Sequence, residues 1–176
     1  MIKLILKYSL YLIFFVATLI FFFPKENLYY FFEQKLFEKK VTISEEKIGG
    51  KATSFFINSS SIYFENNKIS DVKNIDIDMF FFSNTVKITN VKIVDDLKNI
   101  VPSNIKFINF THSVKNPIFV NIHSKGEFGE IFGTINLLNQ QLKLNLQASK
   151  KMKSKYKNIL KQMKFEKGAY FYEYQY

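Results

Sequence analysis

The sequence predicts a mainly β protein: an N-terminal transmembrane helix, then a curved antiparallel β-meander (an open or taco-like sheet), then a C-terminal amphipathic helix and a final strand. Three observations predict it. Apolar residues recur at period two through much of residues 41–148, as in Ile75, Ile77 and Met79, which is the spacing of a half-buried strand. Turn-forming pairs such as Gly49-Gly50, Asn66-Asn67 and Asn116-Pro117 cut that stretch into short segments. Ahead of it, Tyr8 to Phe23 form sixteen residues without a charge.

Residues 1–24 are expected to be an uncleaved anchor. Sixteen residues rise only about 24 Å, short of a hydrocarbon core of about 30 Å. Counted from Ile2, with Lys3 and Lys7 snorkelling to the headgroups, the helix reaches about 33 Å. A cleaved signal peptide is the rival, but the run ends in Phe21-Phe22-Phe23-Pro24-Lys25, where small residues would be needed. A buried soluble helix is the third reading. Lys3 and Lys7 precede the span, so the positive-inside rule leaves the N-terminus in the cytoplasm and the rest across the membrane.

Residues 25–40 are expected to form a juxtamembrane helix. Leu28, Phe31, Phe32 and Leu36 fall at helical spacing, and the helix either lies on the bilayer or caps the sheet. From Val41 the period is two. Gly49-Gly50 is read as a turn, Ser54–Phe64 as a strand and Asn66-Asn67 as the next turn. Ile75, Ile77, Met79 and Phe81 then alternate with Asp76, Asp78 and Phe80, and Ser83-Asn84 is expected to close a hairpin into Val86 and Ile88. The phase slips at Asn90, the mark of a bulge or bend.

Asp95–Ile100 reads as a loop or helical turn, and Ile105–Val114 as a strand broken at Asn116-Pro117. Ile118, Val120 and Ile122 alternate next. Gly126, Gly129 and Gly133 punctuate the following segment, and Asn139-Gln140-Gln141 turns into Leu142, Leu144 and Leu146. Residues 149–176 are assigned to the same domain as a Lys-rich helix over Lys150–Phe165 and a terminal strand. Met152, Tyr156, Ile159 and Met163 mark the helix's apolar side; Lys150, Lys153, Lys157, Lys161 and Lys164 mark the other. Tyr170, Tyr172, Tyr174 and Tyr176 alternate in the strand.

The net charge of +10 does not read as a nucleic-acid signature. Residues 149–176 carry eight Lys against two acids, while residues 25–148 are nearly balanced. Every basic residue is Lys, whereas base reading and bidentate phosphate binding favour Arg. The wealth of Lys, Asn, Ile, Phe and Tyr suggests an AT-rich coding sequence, which makes part of the charge compositional. The Lys row is read either as a solvated face or as a surface for anionic headgroups, each Lys contributing about 1 kcal/mol there. With no Cys, disulfides, thiolate metal sites and Cys nucleophiles are excluded.

No convergent acid, base and nucleophile can be assembled, so no enzyme, catalytic residue, metal or cofactor is expected. His112 and His123 could meet across a hairpin, but no third ligand is near in sequence. Glu45-Glu46 and Asp76/Asp78 could pose as paired carboxylates, but Asp76 and Asp78 fit the polar side of an alternating strand. Gly126-x-x-Gly129-x-x-x-Gly133 lacks the ending of a phosphate loop and fits bends or close backbone approach. The large aromatic load, 21 Phe and 10 Tyr, leaves some strands apolar on both sides. Such strands are covered twice or present a ligand surface.

The anchor leading into Phe23–Tyr30, the alternating strands, the Lys125–Glu130 and Gly133–Leu138 segments and the terminal Lys-rich helix and strand resemble the small membrane-anchored relatives of type II secretion system protein N, a group related to AsmA-like periplasmic proteins. The resemblance implies a single-pass protein of the bacterial inner membrane, with a curved β-sheet in the periplasm, that serves envelope transport or secretion without catalysis. Lipid or lipopolysaccharide, or a secretion partner, would then bind an apolar sheet face. One alternation set from each clear strand is the candidate groove: Ile75, Ile77, Met79 and Phe81; Ile118, Val120 and Ile122; Leu142, Leu144 and Leu146. The same side chains also read as plain core. The other function considered is a scaffold or adaptor, similar to the lipopolysaccharide-export proteins, that pairs sheet edges with partner proteins and takes no ligand.

Overall fold

The computed structural model describes residues 2–22, 25–50, 53–80 and 82–176. Two helices come first, α1 (Ile2–Phe21) and α2 (Lys25–Glu38). Nine strands follow: β1 (Val41–Ser44), β2 (Lys47–Gly50), β3 (Ser54–Phe64), β4 (Asn67–Met79), β5 (Ser83–Ile93), β6 (Asn104–Ser113), β7 (Asn116–Gly126), β8 (Gly129–Asn136) and β9 (Gln141–Ala148). The chain ends in α3 (Lys150–Lys155), α4 (Lys157–Leu160), β10 (Lys164–Glu166) and β11 (Ala169–Gln175). Among the described residues all eleven strands join one antiparallel sheet in the order β1-β3-β4-β5-β6-β7-β8-β9-β11-β10, with β2 also on β3. The two ends of this order do not pair, so the sheet is open.

Several turns differ from the sequence reading, because tertiary pairing overrides local preference. Gly49 and Gly50 are not a turn; they pair with Phe56 and Phe55. A Cβ on Gly49 would lie 2.4 Å from the Phe56 ring, so the glycine is there for the ring. Ser83-Asn84 and Asn116-Pro117 open strands rather than forming the turns. The tyrosine strand β11 is flanked on both sides, by β9 and by the short β10. Lys150–Phe165 is not one helix. Tyr156 breaks it with φ −113° and ψ 38°, which lets its hydroxyl donate to the Lys98 carbonyl at 2.9 Å while its ring is buried.

The slip expected at Asn90 is one point of a longer crease. In β3, β4, β5 and β6 the pairing skips Ser59, Lys73, Asn90 and Lys106 between otherwise regular neighbours. All four are exposed, and Ser59 and Asn90 have φ of 55° and 53°. Each strand thus carries one extra residue in the same row. An insertion of one would normally turn every later side chain to the other face. Here the extra residues are flipped out together, so Ile57, Ile75 and Val72, Val91 pack in one core from both sides of the crease. Asn tolerates the left-handed region better than a β-branched residue does. Asn90→Val is expected to lose about 1–2 kcal/mol in urea unfolding, and Asn90→Gly almost nothing; equal losses would mean that the backbone at this row is unstrained.

Candidate functional site

The register aligns apolar side chains across the whole sheet, because directly opposed residues on antiparallel strands share a face. One row runs Ile57, Ile75, Ile88, Ile108, Ser124, Ile131, Leu146, Tyr170. The next runs Phe55, Ile77, Val86, Phe110, Ile122, Gly133, Leu144, Tyr172. A third runs from Met79 through Asn84, His112, Val120 and Ile135 to Leu142 and Tyr174. The candidate residues Ile75, Ile77, Met79, Val120, Ile122, Leu142, Leu144 and Leu146 therefore lie on one face. Ile118 joins them by alternation along β7, and Phe81 lies outside the described residues.

Helices cap this face at both ends. At the β3–β5 end, α2 lays Tyr29 against Phe55, with ring centroids 5.5 Å apart, and both rings are buried. The Tyr29 hydroxyl donates to Glu46 Oε1 at 3.1 Å. Burial first, and then the Glu46 charge, push the Tyr29 phenol well above its usual range, so it stays a donor. Between α2 and the sheet is an apolar cavity of about 300 Å³, bounded by Phe32 and Leu36 of α2 and by Phe55, Ile75, Ile77 and Met79 of the sheet. Of the expected helix stripe, Phe32 and Leu36 line the cavity, yet they and Phe31 all remain exposed, and the side chain of Leu28 lies outside the described residues. Tyr29, which the stripe did not include, is the residue that seats the helix.

At the other end Met152, Tyr156 and Leu160 bury themselves against Phe128 and Leu146. Ser149 caps α3: its Oγ accepts from the Met152 N–H and donates to the Glu127 carbonyl at 2.5 Å. The Glu127 carboxylate receives Lys151 at 2.8 Å, Asn104 at 2.8 Å and Ser103 at 3.1 Å. The Lys151 hydrogen bond above all, then that of Asn104, holds Glu127 down from the ordinary 4.5 to about 2. The folded value lies below the unfolded one, so this tether stabilises fully above pH 4.5 and is lost as pH falls toward 2. Wild type is expected to lose more stability than Glu127→Gln between pH 5 and pH 2.5 in urea titrations. Parallel pH curves for the two proteins would sink this assignment.

The Lys row does not form one helical stripe. Lys150 and Lys153 lie on α3, Lys157 on α4 and Lys161 just after it, while Lys164 is in β10 and ion-pairs with Glu166 at 2.5 Å. Lys150, Lys153, Lys157 and Lys161 are exposed. The two histidines lie on opposite faces: His112 is in the apolar row with Val120, and His123 stands opposite Asn109 on the other. They therefore share no site. Asp76 faces Lys87 across β4 and β5 on the polar face, and Glu45 and Glu46 accept from Ser61 and Tyr29. Among the described residues no three His, Asp or Glu gather as a metal site.

Fold and site together define a single-sheet, mainly β protein with one apolar face capped at both ends. No family model, no curated protein and no solved structure matches this chain.

Proposed function

We propose that this chain is a membrane-anchored, non-catalytic β protein that binds a lipid acyl chain in the cavity beneath α2, in envelope transport or secretion. The observation that carries the reading is that cavity: about 300 Å³, lined by apolar and aromatic side chains of the helix and the sheet, with Glu33 of α2 the one charged residue among them. It is at the small end of ligand sites, which suits a single chain.

Its position supports a lipid. The helix that roofs it follows α1, whose Leu4, Ile5, Leu6, Leu10, Leu12, Ile13, Phe14 and Phe15 are all more than half exposed. A helix that is apolar all round needs covering. Among the described residues no helix is long and apolar enough to cross a membrane, and the uncharged run alone falls short of the hydrocarbon core. The anchor therefore depends on Lys3 and Lys7 snorkelling, with the twenty residues of α1 rising about 30 Å. In this reading the N-terminus is cytoplasmic, the sheet stands in the periplasm at a bacterial inner membrane, and the similarity to small type II secretion protein N relatives extends to function.

Native mass spectrometry of the full chain, extracted in mild detergent, tests it. Adducts of phospholipid or lipopolysaccharide mass are expected, and Met79→Glu is expected to remove them with the circular dichroism unchanged. A bare chain, or adducts that survive Met79→Glu, would overturn the acyl site. The adaptor reading has its own observation: β10 covers β11 only over Ala169–Phe171, so the outer edge of residues 172–175 carries no strand among the described residues. A photo-crosslinker at Tyr174 that captures one stoichiometric protein, on a chain free of lipid, favours that reading.

A further inference from the structure

We propose that the other face of the sheet binds a neutral oligosaccharide in a dish formed by β6 to β9 and β11. The dish holds about 550 Å³, well inside the range of ligand sites. Its floor is a row set by the register: Asn109, His123, Phe132, Asn145 and Phe171 are successive neighbours on five strands. Thr111 and Thr134 bring hydroxyls from the adjoining row.

Two features of this floor point to a ligand. Asn109 and Asn145 each carry a buried Oδ1 with no hydrogen-bond partner. Such atoms are rare in folded proteins, and these two bracket one pair of rings. The torsion of an Asn amide is broad, so the plane can turn to offer the cavity either its acceptor or its donor. The second feature is the ring pair. His123 stacks on Phe132 with centroids 4.6 Å apart and planes at 11°. Its orientation is fixed by Phe107 at its edge, 5.0 Å away, and by Glu130 Oε1, 2.9 Å from Nε2. Phe132 is 43% exposed and offers a rigid apolar platform.

Amides and hydroxyls around an aromatic platform match a molecule with many hydroxyls and one apolar face, which is a pyranose. Hydroxyls donate and accept, so they satisfy amides and threonines alike. The nearby cations do not select an anion: Lys143 faces Glu173 at 3.6 Å and Lys125 faces Glu130 at 3.8 Å. The dish lies on the face opposite the acyl cavity and does not depend on that reading.

Saturation-transfer NMR on the full chain, held in a detergent without a sugar headgroup, tests the proposal with maltotriose, cellotriose and chitotriose as probes. Transfer to at least one trisaccharide is expected, reduced at least tenfold in Asn145→Ala and in Phe132→Ala. Phe31→Ala, exposed in α2 on the opposite face and outside the acyl cavity, is expected to leave it unchanged. Phe132 is exposed enough that its variant keeps the fold, which circular dichroism checks. No transfer from any of the three sugars, transfer that both dish variants leave intact, or transfer only from a nucleotide control would overturn it.

Discussion

Gly129→Ala is expected to destabilise the protein by roughly 2–6 kcal/mol, the sum of a left-handed backbone penalty and an overpacking penalty. Gly129 has φ +113°, and a Cβ there would lie 2.1 Å from the Gln147 carbonyl oxygen and 2.7 Å from the Ser149 nitrogen. Both contacts are backbone and cannot swing aside. Gly129 pairs with Gly126 across a two-residue turn and with Ala148 on β9, and Ser149 caps α3. The strain would therefore reach the helix that covers the β8–β9 end. Gly168 provides the control: its φ is +85° with nothing within 4 Å of a Cβ. Gly168→Ala feels only the backbone penalty, about 1–3 kcal/mol. Urea midpoints of the two variants measure the difference. If they coincide, the close approach of β9 carries no energy and the role given to Gly129 fails.

That glycine shows what the sequence can and cannot tell. A three-glycine segment within strand alternation was legible as bends or close approach, and the close approach is what the structure has at Gly129. The strand at Ser54–Phe64 was legible to its ends, because eleven residues of β character lie between turn signals. The slip at Asn90 was legible too, but its three companions were not. Ser59, Lys73 and Lys106 are ordinary surface residues in their own strands, and only alignment of four strands shows the crease. Lys150–Phe165 misled because apolar steps of four and three fit a helix, while the hydrogen bond from Tyr156 to Lys98, 58 residues away, decides the break.

The candidate apolar residues fell on one face because strand parity is local and the register keeps it. Their helical covers were only partly legible: the short α3 and α4 had to be seen packed before Leu160 emerged as core. The polar dish was invisible in sequence. Asn109, His123, Phe132 and Asn145 come from four strands, and nothing in a single strand marks an Asn as unpartnered.

Phe55→Ala is expected to cost about 3–5 kcal/mol, the usual range for removing a fully buried phenylalanine. Phe55 is 2% exposed. It stands opposite Gly50 on β2 and Ile77 on β4, and its ring meets Tyr29 of α2. One side chain thus joins the edge strand, the apolar rows and the helix that roofs the cavity. Phe55→Leu keeps most of the contact and is expected to cost less than about 1.5 kcal/mol. The truncation also separates core from site. Removing the ring enlarges the space under α2, and a ligand that binds only the folded state restores stability in proportion to its occupancy. An acyl chain in that cavity should therefore raise the melting temperature of Phe55→Ala more than that of wild type, while Leu146→Ala, at the far end of the sheet, gains no more than wild type. Thermal unfolding of the three proteins with and without added phospholipid measures this. Equal shifts in all three would place the lipid elsewhere, and a loss below about 1 kcal/mol for Phe55→Ala would mean that α2 is not seated on this face at all.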